Sequence, residues 1–350
     1  MKRPPKREPI PDRPIEVTVI LLDGGYASTA IGPLEVFHSA GLLWNWLKGE
    51  PHEPRFRVRV ASPGGRMVKS LCDLGIKPHC ALEDVDRTDI VVISASGWEL
   101  QDKIMKNTAI IDWLKKMHTQ GAYLASVCSG AAYVAETGLM DGREATTHWG
   151  VVDMLRDRYP KVRWRPEHFV TEDSRICCSG GVYASIDISL YLVEKFCGHE
   201  IALKTAKSLL VGLPRTSQSG YAVAPLSRPH SDTRIRKAEE YMRTHLRDDV
   251  GIEALAKRCA MSARTFIRRF KAATGRLPGE YTQMMRISAA RELLEKDAVS
   301  VQEVSERVGY ADQNFFRALF KRHTGMTPAE YRSRFAPLDY ARGELAASGD

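Results

Sequence analysis

The 350-residue sequence has no apolar run of about 18 residues or more, so no membrane-spanning helix is predicted. Its N-terminus, "MKRPPKREPIPDRP", is basic and proline-rich and has no apolar segment behind it, which argues against a secretory signal. Residues 1–14 read as a disordered basic arm. The seven cysteines (72, 80, 128, 177, 178, 197, 259) are odd in number and lack the spacing of a disulfide framework. They suit a reducing cytoplasm, where thiols stay free. None is spaced with a histidine as a zinc site requires, and the neighbours Cys177 and Cys178 would point to opposite faces of a strand. No metal and no cofactor are expected.

With 43% apolar and 27% charged residues, the composition is that of a soluble globular protein, and the length predicts two domains. The net charge of +8 is unevenly spread. Residues 231–336 hold 21 Lys/Arg against 14 Asp/Glu, a surplus of seven, and the N-terminal arm adds about three. A basic C-terminal third beside a neutral body implies a module that binds a polyanion.

Residues 15–212 alternate short apolar runs with helical patterns. "EVTVILL" (16–22) and "DIVVISA" (89–95) read as buried strands, and "RFRVRVA" (55–61) alternates with period two. Between them, a stretch from Pro33 to Trp46 is amphipathic, and "TAIIDWLKKMH" (108–118) and "GVYASIDISLYLVEKF" (181–196) read as helices. This order predicts an α/β parallel-sheet sandwich. From residue 213 to 230 periodicity is lost and three prolines appear, as in an interdomain linker. Residues 231–336 then read as all-α, with a tail at 337–350.

That helical third contains a repeat. Shifted by fifty residues, "TFIRRFKAATGRLPGEY" (265–281) pairs Phe266, Phe270 and Lys271 with Phe316, Phe320 and Lys321. Thr274, Gly275, Pro278 and Tyr281 likewise meet Thr324, Gly325, Pro328 and Tyr331. Each copy reads as a short helix, a tight turn and a second helix. Ser262 and Asp312 are natural caps for the second helices, and Ser300 with Glu303 has the capping-box pattern. In the two second helices Phe266 with Phe270, and Phe316 with Phe320, face inward. Arg264, Arg268 and Lys271 share the outward face of the first, and Gln313, Asn314, Arg317 and Lys321 that of the second. Arg forks suit guanine edges, and Asn and Gln suit adenine. Solvated helix faces are the bland alternative, weakened by the repeat and the basic surplus. Gly309-Tyr310, Phe316, Phe320-Lys321, Gly325, Pro328 and Tyr331-Arg332 resemble the AraC-family DNA-binding domain. The resemblance implies double-stranded operator DNA as partner and base contacts from the early turns of both second helices, here Arg264, Ile267 and Arg268, then Gln313, Asn314 and Arg317, with Ile267 offering only apolar contact, such as to a thymine methyl.

"YLASVCSGAAYVAETGLMDGREATTHW" (123–149) places Cys128 in a tight small-residue turn between a strand and a helix, with His148 twenty residues on. A thiol at a helix N-terminus is expected to have a lowered pKa. "ASVCSGA", "ATTHW" and "GPLEVF" (32–37) resemble the ThiJ/PfpI superfamily, which shares the class I glutamine-amidotransferase-like fold. The resemblance makes Cys128 the nucleophile position and His148 its neighbour. Enzymatic members carry a glutamate where this chain has Thr29, and a Pro-Gly-Gly turn where it has "SASGW" (94–98), with only Gly97 kept. Loss of an acid–base group typically costs 10²–10⁴-fold. The expectation is a degenerate catalytic site serving as a metabolite pocket, bordered by Thr29, Ser96, Gly97, Cys128, Ser129, His148 and Trp149 and suited to a carboxylate or other polar group. End to end, the chain resembles GlxA-type transcriptional regulators, implying a dimeric regulator that senses an amino-acid derivative or amine. A cysteine-dependent hydrolase or amidase tethered to DNA, and a Cys128 redox sensor, are the alternatives.

Overall fold

Parallel strands need helical crossovers, and the first unit is built of them. The computed structural model describes residues 13–97, 99–213, 215–222, 230–248, 250–296 and 299–337. Most of the expected arm, part of the expected linker and nearly all of the expected tail lie outside the described residues. The chain divides into two units, Met1–Gln218 and Ser219–Asp350.

In the first unit, strands β1 (Ile15–Ile20), β2 (Phe56–Ser62), β5 (Cys80–Ala81), β6 (Ile90–Ile93), β7 (Tyr123–Val127), β10 (Val170–Asp173) and β11 (Ile176–Ser179) form one sheet. Its order is β10-β11-β7-β6-β1-β2-β5. All pairings are parallel except β10 with β11. Two small pairs lie outside it, β3 (Val68–Lys69) with β4 (Gly75–Ile76) and β8 (Glu144–Ala145) with β9 (Arg163–Trp164).

Eight helices accompany the strands. The first four are α1 (Ser28–Ser39), α2 (Leu43–Lys48), α3 (Leu100–Lys106) and α4 (Thr108–Thr119). The others are α5 (Ala131–Glu136), α6 (Val152–Arg158), α7 (Ala184–Cys197) and α8 (His199–Ser208). Strand alternation sends Val17, Val19, Ile90 and Val92 into the core that holds Phe37 of α1 and Leu190 and Phe196 of α7. Ile20, Val91, Ile93 and Leu124 enter the opposite core, with Trp113 and Leu114 of α4 and Tyr133 of α5. Cys177 and Cys178 fall in opposite cores, as strand neighbours must.

The amphipathic stretch Pro33–Trp46 is not one helix. The helix begins earlier, at Ser28, and ends at Ser39. Gly41 then turns at φ 79°, where a Cβ would lie 2.0 Å from the Glu53 carbonyl oxygen, so only glycine fits.

Part of the stretch read as a linker is anchored. Arg215 forms an ion pair with buried Asp187 at 2.7 Å and lies over the Phe169 ring. Gln218, 2% exposed, aims its amide Nε2 at the carbonyls of Thr147 (2.8 Å) and His168 (3.1 Å). From the next residue the chain belongs to the second unit, where the Arg291 guanidinium grips the carbonyls of Ser219, Gly220 and Ala222.

The second unit contains α9 (Thr233–Thr244), α10 (Ile252–Arg258), α11 (Ala263–Thr274), α12 (Pro278–Lys296), α13 (Val301–Arg307), α14 (Gln313–Thr324) and α15 (Pro328–Phe335). The sequence repeat is a repeat of geometry. The Thr274 hydroxyl donates to the Phe270 carbonyl at 2.8 Å, and Thr324 does the same to Phe320 at 2.8 Å. Gly275 and Gly325 end their helices at φ 81° and 76°, the left-handed C-cap that glycine favours. Phe270 meets Tyr281 edge-on at 5.2 Å, and Phe320 meets Tyr331 at 5.3 Å. One capping expectation changes. Ser300 accepts from the Glu303 N–H, but the Glu303 side chain pairs with Arg307, and the reciprocal box forms at Thr327 and Glu330 instead.

Phe270 and Phe320 are fully buried in separate cores. Truncating either to alanine is expected to destabilise the second unit by about 3–5 kcal/mol in denaturant titrations. A loss below about 1 kcal/mol at both would contradict this packing.

Candidate pocket and candidate nucleic-acid interface

Strand β7 ends at Val127, and the chain reverses through a 3₁₀ turn, Cys128–Gly130, into α5. Cys128 sits at φ 54°, a left-handed conformation that a non-glycine residue adopts only when its surroundings impose it. Three features do so. A Cβ on Gly130 would lie 2.6 Å from the carbonyl oxygens of both Ile93 and Ser94, so glycine lets the turn nest against the end of β6. The Ser129 hydroxyl donates to the Ser96 carbonyl at 2.7 Å. The Thr147 hydroxyl donates to the Cys128 carbonyl at 2.8 Å.

Beside this elbow is a cavity of about 500 Å³, lined by Ser96, Gly97, Cys128, Ser129 and His148 together with residues 24–26, Leu71, Ala95, Glu99, Leu100, Gly150, Val151, Met154 and Val182. Five of the seven expected pocket residues are therefore brought together. The other two are not. Thr29 is fully buried, and its hydroxyl donates to the Tyr26 carbonyl at 2.6 Å and accepts from the Ala95 N–H at 3.1 Å. With both bonds made inside the fold, Thr29 clamps the start of α1 to the end of β6 and offers nothing to a ligand. Trp149 is absent from the lining and stacks on the His148 ring at 5.1 Å.

The electrostatics reverse one expectation. Burial pushes the Cys128 thiol up to about 11, against a smaller lowering effect of the Ser129 N–H. The helix after the elbow has only six residues, too short for its dipole to offset that desolvation. Cys128 is a neutral thiol at physiological pH.

His148 is half-buried, and burial lowers its pKa below the ordinary histidine range. Its Nδ1 accepts from the Gly150 N–H at 3.0 Å, so the proton of the neutral ring is on Nε2. Among the described residues no hydrogen bond joins the Cys128 thiol to the His148 ring, and no carboxylate pairs with that ring. The buried Ser96 hydroxyl stands beside the Tyr133 phenol. Among the described residues of the lining Glu99 is the charged one; it is exposed and stands at φ 63°, while the Lys103 ammonium, which donates to the Asp23 carbonyl at 2.9 Å, packs behind Gly24 and Gly97. The cavity thus offers one imidazole donor, small hydroxyls, apolar walls and one negative charge.

On α11, Arg264, Arg268 and Lys271 are exposed and Ile267 is half-buried; on α14, Asn314, Arg317 and Lys321 are exposed and Gln313 is half-buried. None of these five cations makes an ion pair among the described residues. Arg269 of the same α11 does, with Asp232 at 2.9 Å. The unpaired cations and amides are therefore collected on one face of each second helix.

The DJ-1/PfpI family model matches residues 16–195, just over half of the chain. The chain belongs to the DJ-1/PfpI family. A helix-turn-helix domain model matches residues 255–334. Over 283 residues the chain is 26% identical to the HTH-type transcriptional regulator CdhR of Pseudomonas aeruginosa, covering 81% of this chain and 83% of that one. It is 26% identical over 285 residues to the regulator GlxA of Rhizobium meliloti, covering 80% and 86%. It is also 29% identical over 136 residues to an isonitrile hydratase of Pseudomonas putida, covering 39% and 57%.

Within the DJ-1/PfpI unit, sequence reasoning missed Tyr26, Leu71, Glu99, Met154 and Val182. Met154 comes from α6 and the others from separate loops, and no spacing in the chain announces that these segments converge. It also passed over Phe315, an exposed aromatic on α14.

A thiol near 11 carries about 100-fold less thiolate at pH 8 than a free cysteine. Alkylation of Cys128 by iodoacetamide, followed by peptide mass spectrometry, is expected to lag far behind that of exposed Cys72. Modification of Cys128 first would contradict the burial account.

Proposed function

We propose that the chain is a cytoplasmic, homodimeric, sequence-specific transcription regulator whose DJ-1/PfpI unit binds a small metabolite. The carrying observation is the duplicated helix-turn-helix, with unpaired Arg, Lys and Asn side chains on the exposed face of both α11 and α14. Cations without acidic partners are free for phosphates and guanine edges. The named regulators that align over most of the chain support the same role. Seven free cysteines accord with a reducing compartment, and pairing two such DNA-binding units multiplies affinity for a repeated operator.

For the metabolite, the cavity favours an amine or amino-acid derivative. Glu99 supplies the negative charge for an ammonium group, and the Nε2–H of neutral His148 can donate to a carbonyl or carboxylate. A cysteine hydrolase fits the site less well. The thiol is held neutral, the position of an acid is taken by the buried clamp Thr29, and no base is bonded to the sulfur. The same raised thiol disfavours selective oxidation, which follows thiolate character.

Arg268→Ala and Arg317→Ala are each expected to weaken specific duplex binding by about 1–3 kcal/mol in titrations of a selected operator. Unchanged affinity in both variants would remove these faces from the interface. A thermal-shift screen of amines and amino-acid derivatives on the full chain is expected to yield a stabilising compound, since a ligand at about 100 times its Kd adds about 2.7 kcal/mol. Glu99→Gln should weaken that compound's effect. An undiminished shift in the variant would exclude the amine–Glu99 contact.

A further inference from the structure

The two recognition faces are copies in backbone and differ in chemistry. At positions fifty residues apart, Arg264 faces Asn314, Ile267 faces Arg317 and Arg268 faces Ala318. The first copy therefore presents two guanidinium forks, and the second presents one fork and two amides, exposed Asn314 and half-buried Gln313. Thr265 corresponds to Phe315, and here the two copies differ most.

The Thr265 side chain is half-buried and absorbed into the helix cap, its hydroxyl 3.0 Å from that of Ser262. Phe315 is 52% exposed. Its backbone N–H is held by the Asp312 carboxylate at 3.1 Å, which fixes it in the first turn of α14. Its ring leans on Tyr310 at 5.9 Å, and that phenol is itself buried. A ring restrained from behind and bare in front is oriented before any partner arrives. It follows exposed Asn314, about 100° further round the helix and on the side away from Arg317, in the turn that reaches base edges in a helix-turn-helix. The one feature of a base edge that suits an apolar ring is the thymine methyl group.

We propose that Phe315 reads a thymine methyl in the major groove, so that the second helix-turn-helix selects a half-site different in composition from the first. The first half-site is guanine-directed through Arg264 and Arg268. The second combines a guanine for Arg317, an adenine for Asn314 and a thymine for Phe315. The operator is then two unlike half-sites in tandem, and its direction sets the orientation of the bound chain.

This rests on the DNA-binding reading, and the experiment separates the two. Full-length protein is used to select duplexes from a pool with a randomised segment, and Arg264→Ala and Arg317→Ala assign each half-site by the positions they relax. Each thymine of the second half-site is then replaced by deoxyuridine, which removes only the methyl. Wild-type affinity is expected to fall about fourfold at one such position, the worth of one buried methyl. Phe315→Ala should bind the thymine site about as weakly and be indifferent to the replacement. Phe315→Leu, which keeps apolar packing against Tyr310, should retain part of the discrimination and guards against a folding defect in the alanine variant. Wild-type indifference to every replacement, a second half-site without thymine, or full discrimination in Phe315→Ala would overturn the proposal while leaving DNA binding intact. Failure of the wild type to select any sequence would overturn the DNA-binding reading as well.

Discussion

The left-handed backbone of Cys128 is the constraint on which the first unit's cavity depends. One residue at φ 54° turns a buried strand into a helix without a loop. That reversal is possible only because Gly130 packs against the carbonyls of Ile93 and Ser94, and because hydroxyls of Ser129 and Thr147 tie the turn to its surroundings. The same close packing buries the thiol, and burial keeps it protonated. Geometry that presents a nucleophile in one chemical setting here presents a small neutral wall. Thr147 also connects this wall to the end of the unit. Its hydroxyl holds Cys128, and its carbonyl receives the amide of Gln218, the last residue before the second unit.

In the second unit one corner is used twice. A threonine hydroxyl bonds back into its helix, a left-handed glycine ends that helix, and a tyrosine closes the corner edge-on against a phenylalanine. Duplicating the corner fixes two equivalent helix faces while leaving their outward side chains free to diverge. Core positions are held by packing, and surface positions are not. Arg291 and Tyr331 join α12 to α15 and to the incoming chain, so the segment at Ser219–Ala222 is part of the folded unit.

Much of this was legible in the chain. Buried strands such as β6 are continuous apolar runs, and the elbow is marked by small residues around one cysteine. The repeat with its glycine and proline punctuation announces a helix-turn-helix region, and a helix-turn-helix domain model matches residues 255–334. What escaped depends on tertiary neighbours. Thr29 sits near the elbow in sequence logic, yet its hydroxyl is consumed by Tyr26 and Ala95. The thiol expectation failed because a short helix cannot outweigh desolvation, and depth of burial has no local signature. Gly41 broke a helix whose amphipathic pattern ran on past it, because Glu53 approaches there from a distant part of the chain.

The proposed function has Cys128 serve the pocket by its shape and not by nucleophilic chemistry. The direct measurement is the affinity of the full-length protein for its selected operator, with and without a stabilising amine effector, in wild type and in Cys128→Ala. The account predicts that the alanine variant keeps both operator binding and its response to effector, with at most a modest change in effector affinity. Loss of the effector response in a variant that still folds and binds the operator would contradict it.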